Sequence, residues 1–171
     1  MSNRAWYAIR IVLTLIVMGG LALDAYVHLD VANDYDSIST STLSQGDLFR
    51  IEAALAIVAA LLVALRPRRW TALIAFLVGV GGLAAVVLYT YVNVGQLGPI
   101  PNMYEPAWFP EKTQSAWGEG IAAAGALLLL AVTHLHMRQS ARKASQPGAS
   151  GTPEPEGAPT RLAGSATPPA G

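Results

Sequence analysis

Apolar residues occur along this chain in four long blocks, each close in length to a membrane-spanning helix. The blocks cover residues 6–30, 48–65, 70–93 and 115–137. A helix rises 1.5 Å per residue, so about 20 apolar residues cross a hydrocarbon layer of about 30 Å. The blocks lack the roughly ten-residue alternation of a membrane β-barrel. We therefore predict an all-α membrane protein, an antiparallel bundle of four transmembrane helices.

Basic and acidic residues concentrate at opposite ends of the predicted helices. Most basic residues precede the first helix, fill the turn between the second and third, or follow the fourth: Arg4, Arg10, Arg66, Arg68, Arg69, Arg138, Arg142 and Lys143. The other two loops carry Arg50 and Lys112 among a majority of acids: Asp30, Asp34, Asp36, Asp47, Glu105 and Glu111. Because Lys and Arg mark the cytoplasmic side, we predict that both termini lie in the cytoplasm.

Composition narrows the class of protein and of site. Apolar residues make up 53% of the 171 residues and charged residues 13%, about half the charged share of ordinary soluble domains. There is no cysteine, so disulfides, thiolate metal sites and iron–sulfur clusters are excluded. The abundance of Arg, Ala, Gly and Pro hints at a bacterial source. We expect a multi-pass protein of the bacterial cytoplasmic (plasma) membrane.

The two ends of the chain need separate interpretation. The first apolar block resembles the core of a signal peptide, but Leu23-Asp24-Ala25 is a poor cleavage site, so we expect a retained helix. Residues 144–171 are rich in Pro, Gly and Ala, and such a segment buries too little apolar surface to order itself. We predict a four-helix transmembrane domain over residues 1–143 and a disordered cytoplasmic tail over residues 144–171.

Three acidic residues, Asp24, Glu52 and Glu119, lie within otherwise apolar segments. Asp24 and Glu52 are each fourteen residues from a basic residue at the inner end of their helix, roughly 21 Å, which places both in the outer third of the membrane. His28 follows Asp24 by four residues and shares its helix face. Acids within a membrane usually face the bundle interior, so these four residues predict an outward-facing polar layer.

Two interpretations of this polar layer remain open. Carboxylate and imidazole groups together suit a divalent metal ion, or proton exchange with a bound ligand. Alternatively, Arg50 and hydrogen bonds between helices neutralise the acids and only fix the packing. The possible supporting residues of a site are Arg50, Tyr89, Tyr91, Tyr104 and Trp108.

Residues 98–112 form a proline-rich segment. Its four prolines are incompatible with a regular helix. Its aromatic residues favour a role as an anchor at the membrane interface. A lid over the polar layer is the alternative role. Haem is not expected, because His28 and His134 lie near opposite membrane surfaces. The sequence identifies no catalytic or cofactor-binding residue.

The inner halves of the helices are almost entirely apolar, which argues against transport. Residues 11–23, 53–65 and 121–132 contain only Thr14 as a hydroxyl-bearing side chain. A conduction path needs polar groups along its route, so we expect none through one copy of the chain.

Three segments of the chain resemble those of a group of uncharacterised actinobacterial four-helix integral membrane proteins. They are Asp24-Ala-Tyr-Val-His28-Leu, Gly46-Asp-Leu-Phe-Arg-Ile-Glu52 and the Gly98–Lys112 loop. In helix count and length the chain is also loosely similar to DoxX-like proteins. The resemblance covers residues 6–137 and implies the fold without an activity.

The sequence favours a non-catalytic membrane protein whose polar layer is structural or binds a small ligand or metal. Such a protein could be an accessory subunit of an envelope complex. A small membrane oxidoreductase or metalloenzyme acting near the outer leaflet is the main alternative, and an oligomeric transporter of small cations is the third. We expect the lipid bilayer as partner, with other membrane subunits or a second copy as further candidates, and no nucleic acid.

Overall fold

The computed structural model describes residues 3–40 and 42–145. Within these ranges the chain forms four long helices: α1 (Asn3–Val31), α2 (Gln45–Leu65), α3 (Arg69–Tyr91) and α4 (Pro110–Ser145). A short 3-10 helix, Ala32–Tyr35, follows α1. All four helices are long and apolar enough to cross a membrane. The predicted all-α fold with four such helices is confirmed, and its orientation in a membrane stays a prediction.

All four helices begin before their predicted apolar blocks, by one residue in α3 and by three to five residues in the others. The Ser44 hydroxyl accepts a hydrogen bond from the Asp47 amide at 2.9 Å, and the Asp47 carboxylate accepts one from the Ser44 amide at 3.0 Å. This capping box stabilises the first turn of α2. α4 begins at Pro110, where a proline needs no amide partner and its fixed φ suits a first helical turn.

α4 also continues past the last apolar block, as far as Ser145. The predicted domain boundary at residue 143 therefore falls inside a helix. The remainder of the predicted tail, residues 146–171, lies outside the described residues.

The four helices form an antiparallel ring. Each helix packs against its neighbours in sequence, α4 closes the ring against α1, and α2 and α3 make the least contact among the adjacent pairs. Small residues allow α1 and α4 to approach closely: a Cβ on Gly20 of α1 would lie 2.6 Å from the carbonyl oxygen of Gly118 in α4. Close packing of this kind is a main attraction between helices in lipid.

Large apolar side chains cover the outside of the ring. The exposed ones include Leu15, Leu55, Leu61, Leu77, Leu127 and Leu128. The core is narrow and includes Val17, Leu21, Ala56, Ala59, Val63 and Leu129. Soluble proteins rarely expose continuous apolar surface of this kind. The outside of the ring therefore suits contact with hydrocarbon.

The ring has two distinct ends. The terminus end holds the start of α1, the α2–α3 turn and the last turns of α4. There the Arg10 guanidinium donates to the Pro67 carbonyl oxygen at 2.6 Å, and the rings of Trp6 and His136 pack with centroids 5.5 Å apart. These contacts tie α1 to the turn and to α4. The loop end holds the α1–α2 and α3–α4 connections.

The α3–α4 connection, residues 92–109, folds over the loop end. Hydrogen bonds fasten it to other parts of the chain, among them Gln45 Nε2 to the Asn102 carbonyl (2.7 Å), Thr40 Oγ1 to the Pro99 carbonyl (2.9 Å) and the Glu105 amide to the Tyr89 carbonyl (3.0 Å). The connection is thus held to α2, to α3 and to the α1–α2 connection.

Candidate functional site

A cavity of about 330 Å³ lies at the loop end, lined by all four helices and the α3–α4 connection. Its wall is mostly apolar and includes Val31, Leu48, Ile51, Val86, Ile100 and Met103. Small-molecule sites commonly have about 300–1,000 Å³ and combine apolar walls with a few polar groups. The cavity is large enough to hold a small molecule.

Five polar residues from three helices meet beside this cavity and form what we call the polar cluster: Asp24, His28, Glu52, Ser115 and Glu119. His28 Nδ1 lies 2.9 Å from Asp24 Oδ1, within α1. Ser115 Oγ of α4 lies 3.2 Å from Asp24 Oδ1 and 3.3 Å from Glu119 Oε1. Glu52 of α2 is close enough to Asp24 and His28 to interact with both electrostatically.

Asp24 and Glu119 are buried and Glu52 is half-buried, and all three acids are incompletely hydrogen-bonded. Asp24 and Glu119 each expose 1% of their surface, and His28 exposes 8%. Asp24 Oδ2, Glu52 Oε1 and Glu119 Oε2 have no hydrogen-bond partner. Ser115 has a single hydroxyl hydrogen and therefore donates to only one carboxylate at a time. Unpartnered buried oxygens are costly, so the polar cluster is short of donors and of positive charge.

Neither basic residue of the loop end supplies that charge. Arg50, a predicted supporting residue, donates to both carboxylate oxygens of Asp36 at 2.8 and 2.9 Å, away from the polar cluster. This guanidinium holds the pKa of Asp36 below its ordinary value. Lys112 Nζ donates to the backbone carbonyls of Glu105 and Ala107. In the described part of the chain, no Lys or Arg pairs with the polar cluster.

Two glycines make room for the carboxylates. A Cβ on Gly82 of α3 would collide with the Glu119 carboxylate, lying 2.8 Å from its Cδ. A Cβ on Gly118 of α4 would lie 3.0 Å from the backbone nitrogen of Asp24. The carboxylates of Asp24 and Glu119 therefore lie side by side where glycines leave room, Gly118 at the contact of α4 with α1 and Gly82 at the contact of α4 with α3.

The structure brings three of the four candidate ligands together. Asp24, His28 and Glu119 each offer a ligand atom, and these atoms lie within 4.8 Å of one another. We call these residues the ligand triad. Glu52 lines the same cavity without belonging to the triad.

Most of the predicted supporting residues lie elsewhere. Tyr89 lines the cavity, whereas Tyr91 does not and is 69% exposed. Tyr104 and Trp108 are also partly exposed and do not line the cavity, although Met103 from the same connection does. The connection thus covers the cavity with some side chains and presents its largest aromatic rings outward.

Two residues of the site, Ser115 and Gly82, were not predicted from the sequence. Ser115 precedes Glu119 by four residues, a spacing that puts both on one helix face, so it could have been found. Gly82 carried no separate signal, because it lies among several small residues of α3.

The ligand triad fits a metal ion in residue types and in spacing. Zinc bonds to nitrogen and carboxylate oxygen measure about 2.0–2.2 Å, so ligand atoms around one ion stand roughly 3–4 Å apart. The ligand atoms of the triad all lie within 4.8 Å of one another, close to the spacing that one ion needs. The 2.9 Å contact between His28 Nδ1 and Asp24 Oδ1 is a hydrogen-bond distance, and Nδ1 also lies 3.0 Å from the Asp24 backbone carbonyl oxygen.

Comparisons of the chain with protein-family models, with curated proteins and with solved structures give no match. The resemblance to actinobacterial and DoxX-like membrane proteins stays a prediction. The geometry of the polar cluster carries the functional argument.

Proposed function

We propose that this protein spans a membrane four times and binds one divalent transition-metal ion at the ligand triad, Asp24, His28 and Glu119. The observation that carries the proposal is the set of buried, unpartnered carboxylate oxygens beside an imidazole. A divalent cation balances the charge of two carboxylates and gives their oxygens a partner. A mixed carboxylate–imidazole set suits Zn²⁺, Fe²⁺ or Mn²⁺.

Neighbouring side chains support such a role. Metal-binding residues are commonly oriented by hydrogen bonds and packing around them. Ser115 Oγ stands within 3.3 Å of both carboxylates of the triad. The ring of Phe49 in α2 packs edge-on against the His28 ring, with centroids 5.4 Å apart. These contacts restrict the orientation of all three ligands.

The orientation in the membrane is part of the proposal. The loop end faces the outside of a bacterial cytoplasmic membrane and both termini face the cytoplasm, because the basic residues concentrate at the terminus end. The ligand triad then lies in the outer half of the bilayer. The exposed apolar helices offer surface to other membrane subunits, which supports a role as an accessory subunit of an envelope complex.

The cavity favours one second function, a membrane metalloenzyme. A substrate in the cavity would lie beside the metal ion, which could polarise it as a Lewis acid. Transport through one copy of the chain has less support, because the core toward the terminus end is formed by residues such as Val17, Ala56, Val63 and Leu129.

Equilibrium dialysis of metal-stripped, detergent-purified protein against Zn²⁺, Mn²⁺ or Fe²⁺, followed by elemental analysis, tests the proposal. We expect the wild type to retain one equivalent of metal. Asp24→Asn and Glu119→Gln keep the shape of the side chain and remove its charge, so each should weaken binding at least tenfold, about 1.4 kcal/mol. Asp30→Asn, which changes an exposed acid on α1, is the matched control and should bind like the wild type.

Thermal unfolding separates metal binding from a purely structural role. In metal-loaded protein, Asp24→Asn removes a ligand and should lower the unfolding temperature. In metal-free protein the same change removes a buried charge and should not lower it. Two results together would overturn the proposal: the wild type takes up none of the three metals, and replacement of the acids destabilises the metal-free protein. The acids would then serve only to pack the helices.

A further inference from the structure

The cavity extends beyond the ligand triad, and Glu52 is a further acid on its wall. We propose that the cavity binds a lipophilic primary amine, which enters from the bilayer between α2 and α3 and places its ammonium group on Glu52. This inference rests on the proposed function, because a metal ion at the triad balances Asp24 and Glu119 and leaves Glu52 without a counter-charge.

The gap between α2 and α3 provides the route. Toward the loop end the α3–α4 connection covers the cavity and is fastened by hydrogen bonds to α2, to α3 and to the α1–α2 connection. Ile51 of α2 and Ala85 of α3 both line the cavity, and both residues are exposed. α2 and α3 also touch least among the adjacent helix pairs. We therefore infer an opening of the cavity between these two helices, toward the apolar surroundings of the bundle.

The apolar wall selects the body of the ligand. Aliphatic side chains from α1, α2, α3 and the α3–α4 connection surround most of the space. A ligand that arrives from hydrocarbon already carries apolar surface, and the wall gives that surface a matching environment. The volume of about 330 Å³ suits one chain or a small ring system rather than a whole phospholipid.

The unpartnered carboxylate of Glu52 selects the head group. Its Oε1 atom is a buried acceptor without a donor, and Glu52 lines the cavity. An ammonium group offers three donors and a positive charge, whereas a carboxylate or phosphate head would meet like charge at short range. An amine therefore fits where a fatty acid does not.

Decylamine binding to zinc-loaded protein in phosphatidylcholine nanodiscs tests the inference, with decanol and decanoate as probes of the same chain length. Protein-free discs measure simple partitioning into lipid. We expect saturable decylamine binding to the wild type, at least tenfold weaker in Glu52→Gln, and no displacement by decanoate. Asp30→Asn is again the matched control. Binding of decanol or decanoate as tight as that of decylamine, or wild-type binding by Glu52→Gln, would refute the amine site.

A pair of substitutions on α3 tests the route. Ala85→Phe places a ring at the opening between α2 and α3 and should slow decylamine uptake at least tenfold. Ala84→Phe adds the same ring at a neighbouring exposed position that does not line the cavity, and uptake should stay at the wild-type rate. Equal uptake by the two variants would rule out this route.

Zinc content is measured on the same discs, so the two proposals fail separately. Zinc without saturable decylamine binding would refute the amine site alone. If the protein takes up no zinc and still binds decylamine in a way that needs Glu52, the metal site alone would be refuted.

Discussion

Replacing Gly20 by alanine adds one methyl group where α1 lies directly against the backbone of α4. The new Cβ would lie 2.6 Å from the Gly118 carbonyl oxygen and 2.7 Å from the Ala122 backbone nitrogen. Both atoms belong to the backbone of α4 and cannot rotate away as a side chain could. Close carbon–oxygen contacts in proteins are about 3.3–3.6 Å, so the two helices must separate locally by roughly 0.7–1 Å.

The size of the effect follows from two opposing terms. Forcing extra carbon into a packed interface costs about 1–3 kcal/mol. Alanine favours a helix over glycine by up to about 1 kcal/mol, which offsets part of that cost. Gly19→Ala supplies the matched control, because a Cβ on Gly19 meets nothing within 4 Å. Helix propensity contributes similarly to both variants, so Gly20→Ala should be about 1–3 kcal/mol less stable than Gly19→Ala.

Reversible unfolding in mixed micelles, followed by circular dichroism, measures this difference. Zinc affinity provides a second readout. Gly20 and Asp24 are four residues apart on one face of α1, so separating the helices there should also move Asp24 away from Ser115. We expect weaker zinc binding by Gly20→Ala and unchanged binding by Gly19→Ala. Free energies of unfolding within about 0.5 kcal/mol of each other would refute the close approach, since well-behaved measurements resolve that difference.

Three further predictions concern the polar cluster and the loop end. Gly82→Ala should weaken zinc binding at least tenfold by calorimetry, because its methyl group collides with the Glu119 carboxylate; Gly81→Ala, which meets nothing within 4 Å, should not. Ser115→Ala should destabilise the metal-free protein by about 1–3 kcal/mol in the same unfolding assay, because it removes a donor from buried carboxylates. The pKa of Asp36 is lowered by Arg50, so this pair stabilises the fold above the ordinary pKa of Asp and loses the effect as pH falls through the lowered pKa. The stability difference between wild type and Asp36→Asn should therefore vanish in acid and shrink with added salt, and a difference that persists in both would contradict the pairing.

The sequence predicted the helices well because a long apolar block is a local property. Four blocks of suitable length gave four helices, and the main errors lay at their ends, where polar caps and Pro110 extend the helices beyond the apolar residues. The shared level of two of the acids along the bundle was also predictable from the sequence. Counting from Arg10 along α1 and from Arg66 along α2 placed Asp24 and Glu52 at one level, and the structure brings both to one cavity region.

The sequence did not reveal which face of each helix turns inward. Arg50 and Glu52 are two residues apart, about 200° around a helix, so Arg50 cannot join the polar cluster once Glu52 does. The same spacing separates Tyr91, which is exposed, from Tyr89, which lines the cavity. Two glycines of α3 with the same spacing also differ: Gly79 is buried against α4, whereas a Cβ on Gly81 would meet nothing within 4 Å.

The position of Glu119 links packing to chemistry. Its carboxylate stands beside Gly82 on one side and reaches Ser115, and through it Asp24, on the other. Any substitution that separates α4 from α1 or α3 therefore changes the distance between the acids as well as the stability of the ring. Substitutions at the terminus end, such as Arg10→Lys beside Pro67, should change stability and leave metal affinity unaltered. Zinc affinity could instead fall in step with the free energy of unfolding in every variant, wherever the substitution lies. That result would mean that the polar cluster responds only to the overall stability of the fold and not to the spacing of its own helices.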